Sequence, residues 1–288
     1  MGSESDDSMK KKLPLVSVLV RTCNRPQVLR TALNSIRQQK YPNIEVVIVE
    51  DGANTAEEML RAEYADLNYI YEATGSRLGR SRVGNRAMQL AAGRYLNFLD
   101  DDDYFLPEHI GTLMKAILHG KERAVYAVAR EDQILPQRPG GKERVKRSII
   151  RYRQPFHRLL LYTMNYIPIQ SILFERELFE ELGGFDESLD TLEDWDLWVR
   201  YSTATDFGFV NRVTSCYHTP YQRQTKQKRA EGLKDYTAPL MEKFENYRTT
   251  LSVRQLNREM EYVIREYKDH GLVRYLRIFF RVVFLGER

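Results

Sequence analysis

Four consecutive aspartates occupy positions 100–103, directly after an apolar run at 95–99 that is typical of a β-strand. Carboxylates this close repel one another, so water or a divalent cation must lie nearby. Because alternate residues of an extended segment point the same way, Asp100 and Asp102 could share one site. Hard cations such as Mg²⁺ and Mn²⁺ bind carboxylate oxygens together with substrate phosphates. The run therefore predicts a metal-dependent enzyme that acts on a phosphate-bearing substrate.

A helix N-terminus made acidic to suit the helix dipole is the competing interpretation of the same aspartates. Pro107 favours a helix over 107–119, since proline is common in a first turn. A helix start explains Asp103 well, but it does not explain four aspartates. We therefore favour the metal site and expect Asp103 alone to serve the helix.

The composition is typical of a folded globular protein. The 288 residues suit one large domain or one domain plus an appendage, and 42% apolar with 11% aromatic residues permits a proper core. The balance of 44 basic to 40 acidic residues argues neither for nor against nucleic acid, and we assign no nucleic-acid partner. Cys23 and Cys216 are far apart, which argues against a disulfide scaffold and favours a reducing cytoplasm.

Targeting signals are not evident in the sequence. Residues 1–12 are polar and charged and lack the apolar core of a signal peptide, so we interpret them as a disordered, tag-like N-terminus. No apolar run in the sequence is long enough to span a bilayer. We expect a cytoplasmic protein, with a peripheral position at the inner face of the cell membrane left open.

Strand and helix patterns alternate through the first half of the chain. Strand patterns cover 16–20, 44–49, 68–71 and 95–99, and helix patterns cover 26–39, 56–64, 81–92 and 107–119. This alternation predicts a parallel sheet with helices on both faces. Further along, 169–174 and 213–217 favour strands, 175–182 and 194–201 favour helices, 137–153 favours a loop, and the chain from about 226 onward favours helix.

Polar side chains follow three of the predicted strands, at 21–24, 50–52 and 100–103. In open α/β sheets, ligands bind beyond the carboxyl ends of the strands. The recurrence of polar residues at three such ends is stronger evidence for a binding site than any one of the three segments.

Five motifs, taken in order, resemble those of family-2 glycosyltransferases. They are 16–25 as the opening strand and turn, 50–53 as the second strand end, Asn85, Ala91 and Gly93 in the helix before the acidic motif, 100–103 with Pro107 as the DxD signature, and 183–187 followed by 192–198 on the acceptor side. The resemblance covers about residues 15–218. It implies a GT-A fold (α/β, with a Rossmann-like mixed, mostly parallel sheet flanked by helices), a nucleotide-sugar donor and an inverting transfer.

The resemblance and the helical pattern together divide the chain into three parts. The N-terminus covers 1–12, and the catalytic domain covers 13–222, with a donor half at 13–103 and an acceptor half at 104–222. A helical C-terminal extension covers 223–288.

Two positions depart from the usual family pattern. Arg21 stands where proline is common, so the first turn is expected to differ in detail. Gly84 precedes Asn85 where an Arg-Asn pair is common. Arg80 or Arg82 could supply the missing charge to the donor, and the sequence does not decide between them.

The resemblance implies a bound Mn²⁺ or Mg²⁺, which would neutralise charge on the departing nucleoside diphosphate as a Lewis acid. Asp102 is then the direct ligand, and Asp100 contacts the donor or binds the metal through water. His218 is a further candidate for the metal or the diphosphate, although a lone histidine is usually structural.

Asp51 resembles the family residue that hydrogen-bonds the nucleotide base, although an isolated Asp-Gly pair would be an ordinary turn. The full set of donor-binding residues that the resemblance implies is Arg21, Thr22, Asn24, Asp51, Arg80, Arg82, Asp100 and Asp101.

An inverting transfer needs a general base that takes the proton of the acceptor hydroxyl as it attacks. By family position Asp194 fits that role, and Glu193 is the near alternative. The competing interpretation is a helix start with ordinary acidity, or a salt bridge from Asp194 to Arg200.

Acceptor contacts are predicted for Trp195, which could stack on a sugar, and for Tyr166 and Gln170 in the segment 166–171. Tryptophans at the spacing of Trp195 and Trp198 more often belong to a core than to a sugar-binding surface. The acceptor predicted from the family is a saccharide or a lipid-linked molecule.

The C-terminal part suggests a membrane contact. Residues 272–285 mix apolar side chains with arginines, a composition that suits an interfacial helix on anionic lipid. A helix packed on the domain or on a partner chain is the alternative. Arg223, Lys226 and Lys228 could close over the diphosphate as a lid, although a solvated basic loop is the simpler interpretation.

We therefore predict an inverting, metal-dependent glycosyltransferase that uses a nucleotide sugar, with UDP favoured, in polysaccharide, O-antigen, capsule or glycolipid synthesis; oligomers are left open. A nucleotidyltransferase would carry glycine in the loop 21–27, which has none, and a dehydrogenase would need a glycine spacing that this chain lacks. A non-catalytic sugar-binding module should have lost Asp102 or Asp194, and both are present.

Overall fold

The computed structural model describes residues 13–135 and 144–270, which form one continuous mixed sheet covered by helices. The strands of this part are β1 (Val16–Thr22), β2 (Ile44–Glu50), β3 (Tyr69–Ala73), β4 (Tyr95–Asp100), β5 (Tyr104–Phe105), β6 (Ala124–Ile134), β7 (Val145–Ile149), β8 (Ile172–Glu175) and β9 (Phe207–Pro220). The helices are α1 (Pro26–Arg37), α2 (Glu57–Glu63), α3 (Arg80–Leu90), α4 (His109–His119), α5 (Arg158–Leu161), α6 (Arg176–Leu182), α7 (Glu193–Ser202), α8 (Arg223–Phe244) and α9 (Val253–His270). The strand order is β3-β2-β1-β4-β8-β6-β9-β5, and β7 pairs with β6.

The first half of the sheet is parallel, as the alternation of strand and helix patterns predicts. β1 lies between β2 and β4 and pairs in parallel with both, and β2 pairs with β3 in the same way. Arg21 of β1 lies beside Asp100 of β4 and Val49 of β2. Because these strands end at the same edge, the three polar segments meet there. This architecture confirms the predicted fold class.

The second half of the sheet returns the chain to the same edge. β8 runs antiparallel to both β4 and β6, and β6 then runs parallel to β9. The short strand β5 pairs with β9, and β7 pairs with β6, both antiparallel. The register places His218 of β9 beside Asp132 of β6. Strand β9 therefore ends next to the aspartate run.

Two apolar layers hold the helices against the sheet. On one face, α1 and α4 pack through Leu29, Leu33, Ile110 and Leu113, and on the other face α3 and α7 pack through Val83, Met88, Leu197 and Trp198. Burial of each large apolar side chain contributes about 1.5–3 kcal/mol. The spacing of Leu29, Leu33 and Ile36 matches one face of a helix, which is why the sequence pattern located α1 correctly.

Several elements differ from the pattern-based predictions. The segment predicted as a loop at 137–153 contains β7, whose residues are exposed and lack the alternation of a core strand. The helix predicted from Pro107 begins at His109, and the strand predicted over 169–174 opens as a 3₁₀ turn at Ile169–Ser171. The helical extension is interrupted at 245–252 between α8 and α9. The predicted interfacial helix at 272–285 lies outside the described residues.

Helices α8 and α9 dock on the sheet domain. Phe244 of α8 meets the ring of Trp195 edge-on at 5.3 Å, and Lys243 pairs with Asp196 of α7. Tyr262 of α9 stacks on His157 at 3.5 Å between ring centroids. None of the helices in residues 13–135 and 144–270 combines the length and the apolar character needed to cross a membrane.

Candidate active site

Arg21 lies at the centre of the site. Its Nε and Nη2 atoms donate to the two carboxylate oxygens of Asp100 at 2.8 and 3.0 Å, and its Nη1 donates to Oε1 of Glu193 at 2.9 Å. The side chain is 6% exposed. Burial would lower the pKa of Arg21, but the charges and hydrogen bonds of the two carboxylates outweigh burial and raise it. The side chain predicted to bind the donor is thus engaged by the protein itself.

The strand alternation that suggested a shared site for Asp100 and Asp102 does not extend past Asp100. β4 ends at this residue and a turn follows. Burial would raise the pKa of Asp100, but the charge and hydrogen bonds of Arg21 outweigh burial and lower it. Asp101 is fully buried and accepts a hydrogen bond from Thr22 Oγ1 at 2.7 Å. Burial raises the pKa of Asp101 to about 6.

Asp103 does not serve a helix, so that expectation is wrong. Its Oδ1 accepts a hydrogen bond from the backbone N–H of His218 at 3.0 Å, and α4 begins six residues later at His109. The pairing of β5 with β9 brings this N–H within reach. Burial, followed by the charges of Asp102 and Asp100, raises the pKa of Asp103 well above its usual value.

Asp102 is the aspartate of the run that solvent reaches best, with 43% of its side chain exposed. Arg25 donates from Nε to the neighbouring Asp101 at 3.1 Å, and its Nη1 lies 3.9 Å from Asp102 Oδ2. Arg25 is itself half exposed. An accessible carboxylate and an accessible guanidinium thus lie side by side at the strand edge.

Metal binding depends on which ligand atoms the side chains at this edge of the sheet present. Within residues 13–135 and 144–270, no three histidine, cysteine, aspartate or glutamate side chains are grouped as a ready-made metal site. Asp102 nevertheless offers carboxylate oxygens to solvent, and Mg²⁺ commonly binds one or two carboxylates together with substrate phosphates and water. The residues therefore fit a hard cation that is completed by the substrate. The imidazole of His218 packs near the ring of Tyr104 at 5.7 Å, and the backbone N–H of His218 donates to Asp103.

Asp51 and Asn24, which follow β2 and β1, accept hydrogen bonds from neighbouring segments. Asp51 accepts backbone hydrogen bonds from Leu78 at 2.6 Å and from Gly79 at 3.1 Å, directly before α3. Asn24 adopts a left-handed conformation (φ 51°), and its Oδ1 accepts a hydrogen bond from Ala53 N at 3.0 Å. Each carboxylate oxygen of Asp51 keeps a second lone pair, so the base contact implied by the resemblance stays a prediction.

Arg80 and Arg82 point to different partners. Arg80 Nη1 lies 3.7 Å from Oε1 of Glu193, whereas Arg82 Nε lies 3.2 Å from Glu187. Both side chains are exposed. The structure thus brings Arg80, and not Arg82, to the carboxylates of the site, and which of the two contacts the donor stays a prediction.

Glu193 and Asp194 begin helix α7 and have different neighbours. Glu193 is buried and bound to Arg21. Asp194 is half-buried, and its Oδ2 accepts a hydrogen bond from Asn165 Nδ2 at 3.0 Å. Burial, followed by the charge of Glu193, raises the pKa of Asp194 to about 7. Asp194 can therefore gain and lose a proton near neutral pH, as a general base must. The predicted alternative, a pair with Arg200, is formed by Asp196 instead.

The residues predicted to contact the acceptor lie in the core. Trp195 is 4% exposed and donates its indole N–H to the backbone of Leu161. Tyr166 is buried, with its hydroxyl donating to the backbone of His157, and Gln170 is buried under β4. Trp198 is buried as well, in line with the core interpretation. The burial of these side chains argues against direct contact with an acceptor.

Two residues of the site were not assigned by sequence reasoning. Arg25 was part of the opening motif but gave no separate signal, because an arginine after a turn is usually a surface charge. Asn165 lies 29 positions before its partner Asp194, and no periodicity links the two.

The basic residues Arg223, Lys226 and Lys228, interpreted as a loop, lie in the first turns of α8.

A parallel half-sheet with an aspartate run after β4, facing a carboxylate pair at the start of a later helix, defines a glycosyltransferase of the GT-A type. The model of the family described as Glycosyl transferase family 2 matches residues 17–183. The chain belongs to this family, which confirms the resemblance inferred from its motifs.

Curated relatives agree with this membership. An uncharacterized glycosyltransferase of Rickettsia prowazekii (strain Madrid E), RP339, is 27% identical over 237 residues, which are 80% of this chain and 72% of that protein. An uncharacterized glycosyltransferase of Rickettsia felis is 28% identical over 69% of this chain, and the chain spans 33% of its length. WcaA of Escherichia coli K12, a putative colanic acid biosynthesis glycosyl transferase, is 30% identical over 66% of this chain and 67% of its own length.

Solved structures share the fold at low sequence identity. The TarS 1–349 structure of S. aureus in complex with UDP-GlcNAc has a TM-score of 0.63 and 16% identity, covering 93% of this chain and 79% of TarS 1–349. The mannosyltransferase PcManGT of Pyrobaculum calidifontis, in complex with GDP-Man and Mn²⁺, has a TM-score of 0.58 and 17% identity, covering 94% and 79%. At these identities the likeness establishes the GT-A fold.

Proposed function

We propose that the chain is an inverting glycosyltransferase that moves a sugar from a nucleoside-diphosphate donor to a hydroxyl group of a saccharide or lipid-linked acceptor. The observation that carries this proposal is the meeting of the aspartate run and the Glu193-Asp194 pair at one edge of the sheet, joined through Arg21. A donor site and a base must lie this close for a direct transfer. The likeness to WcaA supports a role in polysaccharide synthesis.

Charge complementarity supports a diphosphate at this edge. Arg25 and Arg80 are exposed guanidinium groups beside the carboxylates of the site, and each could donate two hydrogen bonds to phosphate oxygens. The complexes of TarS with UDP-GlcNAc and of PcManGT with GDP-Man support a nucleotide sugar as the donor class. We favour UDP, with Asp51 as the contact to the base.

A divalent cation fits the same edge. Asp102 would hold Mn²⁺ or Mg²⁺, with Asp100 contributing through water and His218 as the nearest further candidate. When bound, such a cation neutralises the charge that develops on the departing nucleoside diphosphate. The Mn²⁺ in the PcManGT complex supports this assignment.

Asp194 is the proposed general base. Its carboxylate takes the proton of the acceptor hydroxyl while the hydroxyl oxygen forms a bond to the anomeric carbon. The bond from that carbon to the diphosphate breaks on the opposite face, so the configuration inverts. A pKa of about 7 leaves a large fraction of Asp194 ionised at neutral pH while keeping it a strong enough base. The carboxylate of Glu193 is occupied by Arg21 and is less suited to this task.

We propose that the acceptor binds at the surface next to Asn165 and Asp194. Tyr166, Gln170 and Trp195 are buried, so their side chains are not exposed at that surface. A lipid-linked acceptor would be consistent with peripheral membrane contact through 272–285.

A donor screen with matched variants tests the proposal. The purified chain is incubated with UDP, GDP and dTDP sugars in the presence of Mn²⁺, and release of nucleoside diphosphate and thermal stabilisation are measured. We expect one donor to be stabilising and to turn over. Asp194→Asn should abolish turnover and retain the stabilisation, whereas Asp66→Asn, at an exposed pair with Arg37, should retain both. The proposal fails if no nucleotide sugar binds or if Asp194→Asn retains full turnover.

A further inference from the structure

The side chain of Arg21 lies in a slot formed by the rings of Phe98 and Phe185 and by Gly84. Its central carbon lies 5.6 Å from the ring centre of Phe98 and 5.5 Å from that of Phe185, distances that suit cation–π attraction. Gly84 of α3 leaves room for the ring of Phe185, because a Cβ at this position would lie 2.7 Å from Cδ2 of Phe185, and it would be in ordinary contact with Cδ of Arg21 at 3.6 Å. The slot is therefore built from β1, β4, α3 and the loop before α7.

Two distant parts of the chain meet on this one side chain. Asp100 and Glu193 lie 79 and 172 positions from Arg21, and its one guanidinium group binds both carboxylates. Asp100 ends β4, and Glu193 is the first residue of α7. Arg21 thus ties the strand that carries the aspartate run to the helix that carries Asp194.

The turn into α7 needs such a restraint. Leu192 has φ 60° and ψ 18°, a left-handed conformation that costs a non-glycine residue about 1–2 kcal/mol. Strained residues of this kind persist where their surroundings hold them. Because Glu193 follows Leu192 directly, the hydrogen bond between Glu193 and Arg21 restrains the strained backbone of this turn.

We propose that Arg21 is a positioning residue for the transfer reaction, and not a donor ligand. It acts through Glu193 to fix the start of α7, and with it Asp194, against the donor site at the end of β4. This inference rests on the proposed function.

Arg21→Lys is the central variant. Lysine keeps the charge, so the buried carboxylates retain a cation, but one ammonium group cannot reproduce the planar fork that binds both carboxylates. Arg37→Lys is the matched control, because Arg37 binds Asp66 through Nε and Nη2 with the same geometry at the far end of α1. We expect Arg21→Lys to lower kcat at least about tenfold, with donor KM and donor affinity within about twofold, and Arg37→Lys to change neither.

Coupling to Glu193 separates positioning from a general loss of stability. If Arg21 acts through Glu193, Glu193→Gln should lower kcat in the same way, and adding Arg21→Lys to it should lower kcat by less than the product of the two single effects. A weakened donor affinity with unchanged kcat in Arg21→Lys would instead make Arg21 a donor ligand and would overturn the inference. Full multiplication of the two effects would overturn it as well.

Hydrogen exchange provides a readout that does not depend on activity. In the protein without substrates, the amide of Asp196 is bonded to the carbonyl of Leu192 in the first turn of α7. We expect the amide of Asp196 to exchange at least about tenfold faster in Arg21→Lys than in Arg37→Lys. Unchanged exchange refutes the positioning role. If the wild-type chain transfers no sugar, the proposed function fails, and the exchange measurement alone decides the role of Arg21.

Discussion

Glu193 and Asp194 are adjacent in the chain, yet their carboxylates lie in different electrostatic surroundings. Glu193 is buried against Arg21, with Arg80 nearby, so its charge is compensated. Asp194 has the neutral amide of Asn165 as its side-chain partner and feels the charge of Glu193. Two carboxyl groups in different environments can thus take different tasks, one holding structure and one exchanging protons.

The pH dependence of transfer follows from the pKa of Asp194, which is raised to about 7. Below that pH the carboxyl group is protonated and cannot accept the proton of the acceptor. We expect kcat to rise with pH through about 7 and to level off above it, as measured at saturating donor and acceptor. A rate that is flat between about pH 5.5 and 8.5, with transfer chemistry limiting, would contradict Asp194 as base.

The same carboxyl group should lower stability at higher pH. Its pKa in the folded chain lies above the ordinary value of 3.8, so the folded state binds this proton more tightly than the unfolded state. Stability is therefore lost as pH rises from about 4 through about 7. We expect Asp194→Asn to raise Tm relative to wild type more at about pH 8 than at about pH 4.5, as measured by calorimetry. An equal difference at both pH values would argue against the raised pKa.

The metal assignment is tested at Asp102. Asp102→Ala removes the most accessible carboxylate of the run and should abolish the effect of Mn²⁺ on donor affinity, as measured by titration calorimetry with and without the cation. Asp190→Ala, outside the run, serves as the control and should leave the effect intact. Donor affinity in Asp102→Ala that still responds to Mn²⁺ would remove Asp102 as a ligand.

Among the elements, the packing of α3 on the 183–187 segment determines where Arg80 lies. Asn85 of α3 donates from Nδ2 to the backbone of Phe185 at 3.0 Å and accepts from its N–H at 2.7 Å. The ring of Phe185 lies directly against Gly84. This contact between α3 and the acceptor-side segment sets the spacing at which Arg80 approaches Glu193.

Gly84→Ala should disturb this packing. The new Cβ would lie 2.7 Å from Cδ2 of Phe185, inside van der Waals contact, and overpacking of this kind costs about 1–3 kcal/mol. Gly111→Ala in α4 is the matched control, because nothing lies within 4 Å of its Cβ. Alanine in that open helical position should stabilise the chain by about 0.5–1 kcal/mol. Urea denaturation of both variants checks the prediction, and equal stability of the two would contradict it.

At the scale of the whole molecule, ion pairs connect α8 and α9 to the sheet and its helices. Lys243 of α8 pairs with Asp186 and Asp196, and Arg258 of α9 pairs with Asp206. These pairs link both helices to residues 186–206, which lie between α6 and β9.

Membrane contact is predicted for the segment that follows α9. Residues 272–285 combine apolar side chains with three arginines, so a chain ending at Gly271 should lose flotation with vesicles of phosphatidylglycerol, while the full chain floats with them. Neutral phosphatidylcholine vesicles serve as the control, since attraction to anionic lipid should be lost there. Equal flotation of the two chains would refute the membrane role of this segment.

The local sequence pattern was sufficient to predict most of the secondary structure of this protein. The period of apolar residues and the turn residues are properties of neighbouring positions, so the amino-acid sequence alone locates most of the strands and helices and the polar strand ends. The order of five motifs was then sufficient for the family and the GT-A fold. The segment at 137–153 was predicted only in part, because β7 is an exposed strand without an apolar face.

Tertiary structure alone decided which charges meet. The sequence does not distinguish the partners of Arg21, Arg80 and Arg82, since all three are arginines. In the folded chain, Arg21 lies between Asp100 and Glu193. Arg80 lies beside Glu193, and Arg82 pairs with Glu187. The same holds for Glu193 and Asp194, because their side-chain hydrogen-bond partners, Arg21 and Asn165, are far away in the chain. Electrostatic and packing interactions depend on distance in space, and no local pattern encodes separations of 79 or 172 positions.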